Sequence, residues 1–339
     1  MDKQITFTDI NKAELLDVEH QAPEKGQIKV KTAVSTISNG TEKANITGDP
    51  AVSIYATDSV VFPRILGYSS AGVIVEKGED VTGFEIGDRV AMFGSSHRGY
   101  NTLNAKNAVK IPDGVTFSEA AISYIGAFPL AAIRKTRLEI GESAMVMGLG
   151  TLGLLAIGFL HVAGAVPVIA VDPVSERRKK ALDFGADYAF DPFDADFAEK
   201  VKAVTNGGVN VAIEVTGQGA GLNEALDCMA KFGRVSLLGC TRNSDFTVDY
   251  YRKIHGPGIT LIGAHTLARP DVESHPGFFT AADDIKTILS LCKMGRLDLK
   301  SLVSETHSPS ECHEVYTRLV NDRNFPAVVQ FDWSEVHGK

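Results

Sequence analysis

Two periodicities divide the chain of 339 residues. From about Gly141 to Ala264, short β-branched runs alternate with helical stretches, the pattern of a parallel sheet with crossover helices. The pattern predicts strands from Ser143 to Met147, Val166 to Val171, Tyr188 to Phe190, Val209 to Val215, Arg234 to Leu238 and Ile259 to Ile262. Between them, a helix opening at Ser175 is stopped by Gly185, and a second from Leu222 to Phe232 is stopped by Gly233. Pro167 cannot donate to a ladder, so it should stand at the first residue of its strand.

Residues 1 to about 120 read differently. Alternating runs from Gln27 to Ala33, Ala71 to Glu76 and Arg89 to Phe93 are separated by turn clusters such as Lys77-Gly-Glu-Asp and Glu85-Ile-Gly-Asp, which predicts a mostly β domain. After residue 265 come a polar loop, a helix from about Asp283 to Met294, a capping box at Ser308-Pro-Ser-Glu311 and a strand from Ala327 to Phe331. This tail is too short to fold alone and is expected to complete the first domain. The predicted organisation is α/β: one domain of 1–121 with 266–339, and a second, 122–265, inserted between its parts.

The chemistry begins at Gly148, Gly150 and Gly153, which follow the first predicted strand of the inserted domain and open a long apolar helix at Thr151 and Leu152. The first glycine permits a tight turn, the second lets backbone approach a pyrophosphate, and the third lets helix and strand pack closely. The next strand ends in Asp172, 19 residues past Gly153, where an acid is expected to bind ribose hydroxyls. Strand, glycine turn, helix and acid in that order predict a doubly wound Rossmann domain that binds a dinucleotide. Asp172 would repel a 2′-phosphate and points to NAD; the counter-reading uses Arg177 and Arg178 as phosphate clamps.

Composition narrows the partners. With a net charge of -8 and a pI near 5.6, the chain has no basic stripe for nucleic acid. Arg177-Arg-Lys-Lys180 reads as one solvated helical turn. No run of 18 uninterrupted apolar residues suggests a membrane span, and the polar N-terminus carries no signal-peptide core, so a cytoplasmic protein is expected. Cys228, Cys240, Cys292 and Cys312 form no Cys-x-x-Cys pair and are expected to be small buried residues.

Gly67-Tyr-Ser-Ser-Ala-Gly-Val-Ile-Val-Glu-Lys-Gly, Gly87-Asp-Arg-Val and Glu214-Val-Thr-Gly217, with the inserted dinucleotide domain, make the chain resemble the medium-chain alcohol and polyol dehydrogenase superfamily. The resemblance implies a GroES-like β domain and a nicotinamide cofactor. It also places Leu238-Gly239-Cys240 and Ile262-Gly263-Ala264 along the nicotinamide, and Glu214, Thr216 and Gly217 on the adenosine side. The expected oligomer is a homodimer or homotetramer.

Zinc-containing members of that superfamily carry a Cys where this chain has Ser38 or Asn39, a Gly-His-Glu where it has Gly67-Tyr68-Ser69, and, among polyol dehydrogenases, a Glu where counting places Tyr124. The Cys-rich lobe of a structural zinc is absent from the segment around Ser95 to Tyr100. A metal-free enzyme is expected, in which a side chain handles the proton that accompanies hydride transfer. Candidates are Tyr68 and Tyr124, with Lys43 or His97 as the cation that would lower a tyrosine pKa; Thr41, at a relay position; and His97 itself, as a base. Ser38, Glu42 and His265 are candidate substrate contacts, Glu42 alternatively pairing with a basic residue to hold its loop. The polar stretch 268–275 would suit a polyhydroxylated small molecule. Three activities stay open: an NAD-dependent dehydrogenase of a secondary alcohol of a sugar, polyol or cyclitol, an NAD(P)H-dependent enoyl or quinone reductase, and a non-catalytic dinucleotide-binding protein.

Overall fold

The computed structural model describes residues 1–52 and 61–337. Contacts divide the chain into two compact units, Met1–Ile125 with Ile285–Lys339, and Gly126–Asp284.

The unit 126–284 is built on a six-stranded sheet in the spatial order Tyr188–Phe190, Val168–Val171, Ala144–Met147, Val209–Glu214, Met229–Leu237, Thr260–Gly263. Counted along the chain, this is the 3-2-1-4-5-6 order of a Rossmann sheet, and every pairing is parallel. The central strand reads Ala-Met-Val-Met and is buried throughout, as a strand with neighbours on both edges requires. Register sets Val171 and Glu214 beside Met147, so the residues after all three strands emerge at one level. That level carries the candidate cofactor-binding residues.

Two local expectations need correction. The helix expected from Leu222 to Phe232 instead spans Gly219–Asp227, and Met229 already pairs with Val209 as strand. Phe232 sits at φ +64 with its amide on Pro257 O, so the apolar stretch leaves the helix for the sheet. Pro167 lies one residue ahead of its strand, where its carbonyl accepts from Ala144 N at 2.9 Å.

The other unit is mostly β, as the alternating pattern predicts. Its larger sheet runs Glu305–His307, Val329–Asp332, Gln27–Thr36, Ser69–Lys77, Arg89–Phe93, Ala108–Lys110, with Tyr100–Asn104 also pairing with Gln27–Thr36. Gln27–Thr36 is longer than its alternation suggests because the C-terminal strand extends the pairing, with Phe331 opposite Ser35 and Gln330 opposite Thr36. The capping box at Ser308 and Glu311 is formed and leads into the helix Cys312–Asn321. Tyr316 from that helix, Phe331, Trp333, Phe7 and Ile37 form one buried cluster. Among the cysteines, Cys228 and Cys312 are buried but Cys240 is exposed, because it follows the strand end rather than lying within the sheet. Among the described residues, no helix is long and apolar enough to cross a membrane.

Candidate active site

In the Rossmann unit each glycine of the turn is required for a different reason. Gly148 has φ +98, a region in which side chains are strained. A Cβ on Gly153 would lie 1.9 Å from Gly148 O, so the helix can approach the strand only without one. Gly150 is the N-cap of the helix Thr151–Ala163, makes no side-chain cap and has open space where a Cβ would point. An uncapped helix start with unobstructed approach suits a phosphate, because the unsatisfied amides and the helix dipole favour negative charge.

Asp172 is 4% exposed and accepts from Leu149 N and Val174 N, each at 2.8 Å. Its carboxylate therefore fastens the glycine turn to the end of the second strand. Arg177 lies 3.7 Å from the same carboxylate, whereas Arg178 turns to Asp191 at 3.0 Å. The expected solvated turn thus has two of its cations directed at acids. Glu214 is buried and accepts from Thr216 N at 2.7 Å, from the Thr216 hydroxyl and from Gly217 N at 3.2 Å. Burial raises its pKa above the usual carboxylate value, and these donors work against that shift. The outcome is a folded-over strand end in which a Cβ on Gly148 would meet Thr216 Cγ2 at 3.0 Å, and one on Gly239 would meet Gly217 N at 2.3 Å. Gly263 has open space around it. His265 is half-buried and Nδ1 accepts from its neighbour Leu267 N at 3.2 Å. Arg269 from the following stretch bonds Ala127 O at 2.9 Å and lies 3.6 Å from Asp284, which also takes Arg134 at 2.9 Å.

In the β unit, the short helix Asn39–Ile46 brings Ser38 and Thr41 to the Tyr68 hydroxyl, which donates to Ser38 Oγ and also hydrogen-bonds the Thr41 side chain. Tyr124, on the helix Phe117–Thr136, meets the Tyr68 ring edge-on at 5.6 Å and Phe93 at 5.3 Å. Burial pushes the Tyr68 pKa up, and the Ser38 and Thr41 contacts only partly offset it. Four of the sequence-level candidates therefore converge: Ser38, Thr41, Tyr68 and Tyr124.

Two others do not. His97 is wholly buried, with Nδ1 on Ser35 Oγ at 2.7 Å and Nε2 on Glu42 at 3.1 Å, so it has no ring nitrogen left to serve as a base toward a substrate. Glu42 is equally buried and accepts from Ser38 N at 2.8 Å and Tyr316 Oη at 2.5 Å as well as His97, which takes it out of substrate contact. Its alternative role, pairing with a basic side chain to hold the loop, is the one the geometry supports. Lys43 donates to Val320 O at 2.9 Å, and neither it nor His97 is among the groups that shift Tyr68. Sequence reasoning passed over Ser35, Tyr316 and Trp333, which complete this cluster from distant segments and carry no local motif.

The positions of the expected zinc ligands thus hold hydroxyls. Zinc takes deprotonated thiolates, neutral imidazoles or carboxylates, and a tyrosine whose pKa is raised is the opposite kind of donor. No group of three or more His, Cys, Asp or Glu side chains able to hold a metal occurs among the described residues. These residues do not fit zinc.

Residues 24–128 match the alcohol dehydrogenase GroES-like domain, and residues 151–275 match the zinc-binding dehydrogenase family. L-threonine 3-dehydrogenase of Pyrococcus horikoshii is 30% identical over 289 residues, covering 74% of this chain and 79% of that protein. D-guloside 3-dehydrogenase of Escherichia coli is 27% identical, covering 76% of this chain and 73% of its own length. Among solved structures, 2R,3R-butanediol dehydrogenase of Bacillus subtilis superposes with a TM-score of 0.82 at 23% identity, covering 98% of this chain and 99% of that one. The chain belongs to the medium-chain dehydrogenase/reductase superfamily of dinucleotide-binding oxidoreductases.

Proposed function

We propose that this chain is a zinc-independent, NAD-dependent oxidoreductase that interconverts a secondary alcohol and its ketone, on a polar small molecule such as a sugar, polyol or cyclitol. The observation that carries the reading is the cluster of Ser38, Thr41 and Tyr68 hydroxyls, of which Ser38 and Tyr68 stand at positions where metal ligands are expected. The turn Gly148 to Gly153 would hold the pyrophosphate, Asp172 the adenosine ribose, and Thr216, Gly239 and Gly263 would border the rest of the cofactor. Bound NAD supplies the hydride acceptor. Tyr68, Ser38 and Thr41 are hydrogen-bonded to one another, and an alcohol O–H would hand its proton into this hydroxyl cluster. With its pKa raised, Tyr68 works as a neutral relay rather than as a standing tyrosinate, taking the alcohol proton as it passes its own to Ser38, and one proton leaves the cluster to solvent in each oxidation. The relatives named for threonine and a guloside support an alcohol as the reducing substrate. A homodimer or homotetramer belongs to the same reading and is checked by light scattering.

The experiment is to strip the protein of metal and supply NAD with a panel of polyols, sugars and cyclitols, then NADH with conjugated enones, following reduced-cofactor absorbance. Turnover of polyols after chelation is the expected result. Activity that returns only with stoichiometric zinc, or that appears only with enones, overturns the proposal.

A further inference from the structure

Beside the hydroxyl cluster lies a chain of buried, hydrogen-bonded polar groups. The Trp333 indole has a hydrogen to give and none to take, and it donates to Ser35 Oγ at 2.8 Å. Ser35 Oγ accepts there and can give its own hydrogen to His97 Nδ1, 2.7 Å away. In that arrangement Nδ1 accepts, and the ring carries a hydrogen on Nε2 that it donates to Glu42 at 3.1 Å. Tyr316 and Ser38 N supply two more donors to the same carboxylate. In this arrangement Trp333, Ser35, His97, Tyr316 and Ser38 N each direct a hydrogen along the chain, and Trp333, His97 and Glu42 are each 0% exposed. Gly67 is what admits the imidazole, since a Cβ there would lie 2.4 Å from His97 Cγ.

The end of this chain reaches the cluster through an altered helix cap. In a capping box, the N-cap serine side chain holds a backbone amide of the first turn while an acid reaches back to the N-cap amide. Here only the second half is made: Glu42 reaches back to Ser38 N, while Ser38 makes no side-chain cap and its hydroxyl receives the Tyr68 hydrogen instead. A helix of eight residues has little stability of its own, and the Glu42 bond supports its first turn.

We infer that Glu42 and His97 are positioning residues: by taking over the capping of the helix Asn39–Ile46, Glu42 releases the Ser38 hydroxyl to hold Tyr68, and the chain from Trp333 through His97 fixes Glu42 in place. The inference deepens the proposed function, since it rests on Tyr68 as the proton relay. Replacing the carboxylate by an amide sets an NH2 either against His97 Nε2 and Tyr316 Oη or against Ser38 N, so in either orientation donors meet and the arrangement along His97, Ser35 and Trp333 or at the helix start has to shift.

The test uses the full chain labelled at tryptophan and at the tyrosine ring carbon bearing oxygen. Trp333 is the only tryptophan, so its indole N–H resonance reports the chain directly. Tyr68 is assigned by its loss in Tyr68→Phe. In Glu42→Gln, both the Trp333 and the Tyr68 resonances are expected to move. In the same variant, kcat on the best substrate of the metal-free panel falls roughly 10- to 100-fold, the scale of a small misplacement of a reacting group, while NADH affinity is unchanged. A Trp333 resonance that moves while Tyr68 stays put overturns the inference, as does unaltered kcat in Glu42→Gln when Tyr68→Phe is impaired. Should Tyr68→Phe turn over normally, the relay reading fails, but the resonances still decide whether Glu42 positions Tyr68. If Glu42→Gln does not fold, Tyr316→Phe removes one donor to Glu42 with the ring retained, and the same pair of resonances decides.

Discussion

The glycine turn of the Rossmann unit and the hydroxyl cluster of the β unit are made in opposite ways. Around Gly148 the working groups are backbone, and side chains matter chiefly where they are missing: the close approaches at Gly153, Gly217 and Gly239 leave no room for a Cβ. Around Tyr68 the working groups are side-chain hydroxyls, held by a buried set of side chains from strands and helices far apart in sequence. A backbone site is fixed by local conformation and tolerates change poorly. A side-chain site depends on second partners and should fail in chemistry before it fails in folding.

The largest effect expected from that contrast is in Tyr68→Phe. Loss of one acid-base group costs about 10² to 10⁴ in kcat, with NADH affinity and thermal stability preserved, as stopped-flow rates and melting curves would show. A comparable NADH defect in this variant would erase the distinction between the two.

Next comes Asp284→Asn, which probes a part of the Rossmann unit that does depend on side chains. Burial holds Asp284 up at about 6 despite Arg134 and Arg269 beside it. Removing the charge leaves both guanidiniums without this counterion, and breaking a buried pair costs about 3 to 5 kcal/mol. Denaturant unfolding should show that loss; an effect near zero would mean the pair is already solvated.

Gly153→Ala should weaken NADH binding roughly 10- to 100-fold, from about 1 to 3 kcal/mol of overpacking against Gly148 O. The Trp333 emission should not change, because Trp333 belongs to the other unit. Fluorescence titration of NADH measures both. A shifted Trp333 band would show that the two are not separately built.

The smallest effect concerns Glu305, whose pKa the Arg318 guanidinium lowers to about 2 from 4.5. A depressed carboxylate contributes stability above the ordinary carboxylate range, and that contribution is lost as pH falls from about 4.5 toward 2. The two side chains are 29% and 36% exposed, so the pair is worth under about 1 kcal/mol. Melting curves of Glu305→Gln and the parent should differ slightly at pH 6 and converge near pH 2; a gap that persists in acid would assign the stabilisation to something other than charge.

The same contrast explains what could be read from the sequence. The glycine turn, its strand and Asp172 lie within about 30 residues, and their spacing is itself the signal. Strand alternation likewise revealed the β unit, and the Ser308 capping box was visible because its parts are three residues apart. Where local patterns competed, the sequence misled: the apolar stretch at Met229 continues a helical periodicity, but pairing with Val209 claims it for the sheet. Ser38, Thr41, Tyr68 and Tyr124 could be nominated from the resemblance alone. Why His97 and Glu42 are closed off from solvent could not, since their partners Ser35, Tyr316 and Trp333 come from both ends of the chain, with Ser35 and Trp333 298 positions apart. A lone loop histidine looks available until the tertiary fold supplies both of its hydrogen bonds.

The bond from Tyr68 to Ser38 also constrains the history open to this protein. Either residue alone could be exchanged for a metal-binding side chain, but each exchange breaks the hydrogen bond between them. One new ligand does not hold zinc, because an open catalytic site needs three. A single exchange therefore breaks the hydroxyl pair without making a metal site.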